Sequence, residues 1–173
     1  MAPTRRKPVW AGFTLAGVVV ALDQVSKAWL LAWLEEQGAW QQVTGFFNLV
    51  MVWNRGISFG MFQSGETGRW LLVLFSTLVC LGMAIWLWRQ NKFWPGLALG
   101  AVIGGALGNI IDRIWRGAVA DFFDFHMFGY HWPAFNVADS AITIGVAMLL
   151  YDSFRPSKGT GDPDSSDHRS GDV

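Results

Sequence analysis

The chain reads as an all-α membrane protein, with four transmembrane helices and a small extracytoplasmic β-sheet lying on the outer membrane surface. Three observations predict it. Hydrophobic residues make up 52% of the 173 positions and charged residues only 15%, with a mean hydropathy of +0.30, which is too apolar for an ordinary soluble domain. Four apolar stretches approach the about 20 residues that a helix needs to cross a hydrocarbon core about 30 Å thick. Between the first two lies a segment rich in aromatic and β-branched residues, which suits a strand. The net charge of zero gives no global field to attract nucleic acid, and no such partner is expected.

The first span covers residues 9–34. It exceeds the apolar core of a secretory leader in length, contains Asp23 and Lys27, and is followed by no small-residue cleavage site, so it is expected to stay as a helix. The strand-like run is Phe46 to Asn54, preceded by Gly45 and followed by a turn, Arg55-Gly56-Ile57-Ser58-Phe59-Gly60. The second span covers 70–88, the third 94–111 and the fourth 136–151, so that one membrane domain occupies 1–154. Residues 155–173 are Gly, Ser, Asp and Pro with almost nothing to bury, which predicts a disordered cytoplasmic tail.

Basic residues set the orientation. Arg5, Arg6 and Lys7 precede the first span, Arg89 and Lys92 sit between the second and third, and Arg155 and Lys158 follow the fourth. All three groups fall on one side, the cytoplasmic side by the positive-inside rule. Segments 35–69 and 112–135 then face outward. Arg55, Arg69, Arg113 and Arg116 lie there against the rule, although acids accompany them. Trp10, Trp29, Trp33, Trp70, Trp86, Trp88 and Trp94 gather near span ends, where indole sits between the apolar and wet layers.

Polar residues within this apolar frame are the candidates for function. Asp23 and Lys27 are four apart on one helix face, with the acid N-terminal, the better order for an ion pair. They either neutralise each other or reach a substrate, and in both cases they face protein and not lipid. Gly100, Gly104, Gly105 and Gly108 make the third helix small-sided and central. At its end Asn109 and Arg113 are four apart and aim at one spot, where they either hold a peptide carbonyl or phosphate, or Arg113 pairs with Asp112 or Asp124. Asp121 and Asp139 bracket a short aromatic loop between the third and fourth spans. A carboxylate in or beside hydrocarbon is costly, so two at one face suggest use. Asn136 can cap the fourth helix and Asp139 falls in its first turn, which favours the ionised form. Helix capping for Asp139 and interface anchoring for Asp121 are the competing structural roles.

The single cysteine, Cys80, lies mid-span and builds neither a disulfide nor a metal site. It reads as a small packing residue. His126, His131 and His168 have no ligand spacing, and they read as loop or tail residues. No metal and no cofactor are expected.

Five motifs in order, Asp23-Gln24-Val25-Ser26-Lys27, Asn54-Arg55-Gly56-Ile57-Ser58-Phe59-Gly60, Gly108-Asn109-Ile110-Ile111-Asp112-Arg113, Val119-Ala120-Asp121-Phe122 and Phe135-Asn136-Val137-Ala138-Asp139-Ser140, closely resemble those of bacterial lipoprotein signal peptidase, or signal peptidase II. The resemblance spans everything but the tail. It implies a multi-pass protease of the bacterial cytoplasmic (inner) membrane, with both termini cytoplasmic and the active site near the outer face. Its substrates would be prolipoproteins cut just before a diacylglyceryl-modified cysteine. The catalytic pair falls by motif position on Asp121 and Asp139, while Asn54, Gly56, Asn109, Arg113 and Asn136 hold substrate or frame the site, and Asp23 and Lys27 support it. Membrane lipids are expected partners and a monomer is the expected state.

The chemistry fits the residues without the name. Two carboxylates held close cannot both ionise easily, so one keeps a proton and the pair can divide into base and acid around an attacking water. Sequence does not assign which is which. Two other readings compete: a small proton-coupled transporter, which needs ionisable groups at successive depths, and a non-enzymatic lipoprotein-binding factor.

Overall fold

The structure is a computed structural model, and it describes residues 7–56 and 65–154. Residues 57–60 of the turn expected over 55–60, the tail expected over 155–173, and Arg5, Arg6, Arg155 and Lys158 lie outside the described residues. The order of elements is α1 (Lys7–Gln37), β1 (Trp40–Gln42), β2 (Phe47–Asn54), α2 (Gly65–Trp88), α3 (Phe93–Trp115), β3 (Val119–Met127), β4 (Tyr130–His131) and α4 (Val137–Phe154).

All four helices are long and apolar enough to cross a membrane. Their ends differ from those expected. α1 continues to Gln37, α2 begins at Gly65 and α3 continues to Trp115, so Asp112 and Arg113 belong to a helix and not to an outer segment. Hydropathy marks only the apolar part of a helix, whereas the backbone ladder runs on through polar residues that find partners of their own.

α3 is the centre. In its most apolar stretch 72% of residues are buried within the protein, against 28%, 22% and 11% for α1, α2 and α4. Its glycines permit this. A Cβ at Gly104 would stand 2.7 Å from the Ala16 carbonyl oxygen of α1, and one at Gly100 would meet the Gly12 carbonyl. On the other side Gly105 is pressed against the Ala138 carbonyl of α4. Close backbone approach of this kind is how helices associate where apolar burial alone gives little driving force. Cys80 packs with Ala16, Leu87, Leu99 and Ile103 in the core between α1, α2 and α3.

The strands form one antiparallel sheet in the order β1-β2-β3-β4 at the end of the bundle where α1 and α3 finish. Expected as a loop, 119–127 is instead a nine-residue strand. Its ladder pairs with β2, 65 or more residues away in sequence, which local pattern could not announce. A bulge interrupts this pairing: Leu49 opposes Phe123, but Val52 opposes Asp121, so β2 carries one extra residue. His126 and His131 are also strand residues and oppose each other across β3 and β4. Phe128 and Gly129 join those strands with positive φ values of 51° and 81°, as a tight two-residue hairpin requires.

Beneath the sheet, Leu30 and Leu34 of α1 pack on Phe122, with Leu49, Met51, Phe123 and Val137 around them. Phe135 is strapped to β3 by bonds from Phe122 N and Phe123 N to its carbonyl, at 3.1 and 2.9 Å, and from its own N to Phe123 O at 3.1 Å. The next residue is Asn136.

Gly104→Val tests the close contact of α1 and α3. The added methyls must displace backbone, a cost of about 1–3 kcal/mol or more, so thermal unfolding in detergent should fall by several degrees. An unchanged melting temperature would show that the helices do not approach as described.

Candidate active site

Asp23 and Lys27 of α1 form the deepest layer, and both are fully buried. Lys27 Nζ lies 2.7 Å from Asp23 Oδ2 and 2.7 Å from Asp112 Oδ2, and donates to Asn109 Oδ1 at 3.4 Å. The i, i+4 pair is therefore only half of the arrangement. Asp112 was considered in sequence only as a partner for Arg113, yet it binds Lys27 and, through Oδ1, Arg116 Nη1. Two acids and two bases balance. Gln24 ties them together, donating to Asp23 Oδ2 and Asp112 Oδ1 at 3.1 Å each and accepting from Arg116 Nη1 at 3.0 Å.

This cluster reaches the other elements through backbone amides. Ala138 N in the first turn of α4 donates to Asp23 Oδ1 at 3.0 Å, and Ala120 N of β3 donates to Asp112 Oδ2 at 3.3 Å. A buried carboxylate is well placed at a helix N-terminus, where unpaired N–H groups and the helix dipole meet it. Gly108 leaves room for Asp23, whose Oδ2 would stand 2.5 Å from an added Cβ. Thus α1, α3, α4 and β3 are pinned to one set of charges.

Asp121 and Asp139 sit above this layer, joined by Asn136. The Asn136 amide donates to Asp121 Oδ1 at 2.7 Å, to Ala120 O at 3.2 Å and to Asn109 Oδ1 at 3.4 Å. Its Oδ1 accepts from Asp139 N at 2.9 Å, while its own N–H points to Asp139 Oδ2 at 3.4 Å. That reciprocal pair is a capping box at the start of α4. Capping, the competing role for Asp139, is therefore present, and it orients the carboxylate without using up its oxygens. Asn109 Nδ2 donates to Asp139 Oδ1 at 2.8 Å, and Asn54 Nδ2 donates to Asp121 Oδ2 at 3.0 Å.

The two acids differ in setting. Asp121 is 2% exposed, whereas Asp139 is half-buried, so the pair opens on the Asp139 side. Burial, then the nearby charge of Asp139, drives the Asp121 carboxyl from its ordinary 3.8 up to about 7. Hydrogen bonds from Asn54 and Asn136 and the Lys27 charge oppose this without cancelling it.

Arg113 does not pair with Asp112 or Asp124. It donates from Nη1 to Asn109 O and from Nη2 to Gly56 O, both at 3.3 Å, and its Nε is buried without a partner among the described residues. Asp124 instead accepts from Asn48 at 2.7 Å and faces His131 Nδ1 at 2.9 Å. Burial raises its carboxyl, but these contacts outweigh that and hold it below the usual range. All the candidates from sequence, Asp23, Lys27, Asn54, Gly56, Asn109, Arg113, Asp121, Asn136 and Asp139, belong to one connected network. Asp112, Gln24 and Arg116 complete it. The four-residue spacing of Asp112, in the last turn of α3, and Arg116, just after it, was the available signal for those two. Among the described residues no His, Cys, Asp or Glu group is arranged to share a metal ion.

Residues 15–155 match the sequence profile of the family described as signal peptidase (SPase) II. A lipoprotein signal peptidase of Caulobacter vibrioides is 45% identical over 147 residues, covering 84% of this chain and 87% of its own. One of Beijerinckia indica is 42% identical over 160 residues, covering 91% and 96%. Among solved structures, a bacterial membrane enzyme superposes with a TM-score of 0.71 at 30% identity, over 84% of this chain and 94% of the other.

Replacing Lys27 by Met would leave Asp23 and Asp112 facing each other without their shared cation. Breaking a buried ion pair by removing one partner costs about 3–5 kcal/mol, so Lys27→Met should unfold at markedly lower temperature than the wild type. Ser26→Ala, one residue away, should not. Equal melting of Lys27→Met and wild type would refute the buried charge cluster.

Proposed function

The chain belongs to the signal peptidase II family, and from that premise we propose that it is a membrane aspartyl endopeptidase acting on diacylglyceryl-modified prolipoproteins. It cuts the peptide bond just before the lipid-modified cysteine. The observation that carries the aspartyl reading is the Asn136 bridge: one side chain holds Asp121 and Asp139 in a single site, and Asp121 keeps its proton to about 7.

Their settings divide the work. Asp139, fed by donors from Asn109 and Asn136 at a helix N-terminus, acts as the carboxylate that takes a proton from water. The water oxygen forms a bond to the scissile carbonyl carbon. Asp121, protonated, donates to the carbonyl oxygen as negative charge builds there, and Asp139 passes the proton it took from water to the amine of the departing cysteine as the C–N bond breaks. Asn54 fixes the Asp121 carboxyl from the β2 side. Arg113, anchored on Gly56 O and Asn109 O, offers its unpaired Nε to a substrate carbonyl.

The site faces the outer side of a bacterial membrane. The sheet and both aspartates lie at one end of the bundle, and Arg89 and Lys92 lie at the other, between α2 and α3. That arrangement follows the positive-inside rule with both termini cytoplasmic. A proton relay would need ionisable groups spread through the depth of the bundle. The buried Asp23, Lys27, Asp112 and Asp121 gather instead toward the sheet end of the bundle, in two adjoining layers joined by hydrogen bonds.

Asp121→Asn and Asp139→Asn should each lower cleavage of a diacylglyceryl-modified precursor by about 10²–10⁴-fold while the protein still inserts and accumulates. Near-normal turnover by either variant would overturn the pair. The wild-type rate should fall as pH rises through about 7, because Asp121 then loses the proton it donates. A rate that is flat from pH 6 to 9 would contradict that assignment. Mass spectrometry of the products places the cut, and equal cleavage of an unmodified precursor would refute the lipid requirement.

A further inference from the structure

A cavity of about 520 Å³ opens beside the sheet, lined by Trp53, Arg55, Glu66, Arg69, Arg116 and Gly117 among others. It falls within the size range of small-ligand clefts. Strand alternation separates it from the paired aspartates: Asn54 turns to Asp121, and its neighbour Trp53 lines the cavity. We propose that this cavity binds the headgroup phosphate of an anionic glycerophospholipid.

Charge is the first argument. Three guanidinium groups line the cavity, and since Asp112 balances Arg116, Arg55 and Arg69 are left with one carboxylate, Glu66, whose side chain is 78% exposed. A surface pair of that kind is weak, so Glu66 does not satisfy the lining. Two of the arginines are also held ready. Arg116 is gripped from behind through Nη1 by Asp112 and Gln24. Arg69 bonds Glu66 at 2.9 Å and lies over the Trp70 ring, with its Cζ 4.9 Å from the centroid. Its Nε is buried without a partner among the described residues. Gly117, at φ +80°, keeps the lining open, since a Cβ there would come 3.1 Å from Arg69 Nη1. Planar guanidinium forks match phosphate oxygens two at a time, which a single acidic side chain uses less fully.

Depth is the second argument. Glu66 belongs to the first turn of α2, and Arg116 and Gly117 directly follow the last residue of α3. Both are ends of membrane-length helices, and the exposed indoles of Trp53, Trp70 and Trp115 surround them. Indole belts mark the headgroup layer, where the phosphodiester is the prevailing anion. The site also accounts for Arg55 and Arg69, two cations on the side that the positive-inside rule disfavours.

The test is native mass spectrometry of the full chain in non-ionic detergent, titrated separately with dioleoyl phosphatidylglycerol, dioleoylglycerol and inorganic phosphate. The phosphatidylglycerol adduct should form at one per protein, with dioleoylglycerol binding about tenfold more weakly. Inorganic phosphate at the same concentration should not displace the lipid. Arg55→Gln and Arg69→Gln should each weaken phosphatidylglycerol binding about three- to tenfold, and Arg69→Lys should retain part of it. Cleavage of a short lipid-modified precursor in detergent should be unchanged in these variants, which separates this site from the aspartates. Unaltered lipid binding in both Gln variants would overturn the proposal, as would displacement by inorganic phosphate or loss of cleavage together with binding.

Discussion

A lysine with no exposure to solvent is the constraint on which the rest of the molecule depends. Taking an ammonium group out of water costs several kcal/mol even after the protein relaxes, and this chain meets the cost with Asp23 and Asp112 at 2.7 Å. Each acid then has oxygens left over. They are met by Arg116, Gln24 and the amides of Ala120 and Ala138. The demand for neutrality thus spreads outward from α1 and draws in α3, β3 and the start of α4. Few positions in the site are free to move without uncovering a charge.

Above that layer, amides take over from ions. Asn136 serves two needs at once, capping the start of α4 and linking the paired acids. An uncharged linker suits the place. A cation between Asp121 and Asp139 would favour ionising both, whereas amide donors orient the two carboxyls and still let burial keep a proton on Asp121. The same logic explains why Asn54, Asn109 and Asn136 converge here while Lys27 stays one layer down.

Much of this was legible in sequence. Composition and apolar length gave the four spans, the glycines of the third marked it as central, and the ordered motifs brought the paired aspartates and their asparagines together. What sequence hid was non-local. Residues 119–127 look like a loop because nothing beside them reveals the partner strand at Phe47–Asn54. Asp112 looks like a partner for adjacent Arg113, yet on a helix neighbours in sequence diverge by about 100°, and it meets Lys27 of another helix instead. The end of α3 was missed for the same reason: the helix runs on past its apolar stretch through Asp112 and Arg113, whose partners are Lys27 of α1 and the Gly56 carbonyl.

The bulge in β2 makes the chemistry a matter of counting. In a regular ladder odd positions of β2 would share a face with the odd positions of β3, as Phe47 and Leu49 do with Phe125 and Phe123. One extra residue before Val52 reverses the parity, so that Val52 and Asn54 come round to the face of Asp121. Were the same residues to run on in step without the bulge, Met51 would oppose Asp121 and the indole of Trp53 would oppose Val119, the place that Asn54 now takes. Composition would not change, yet the strand would present the wrong register of side chains to its most sensitive neighbour.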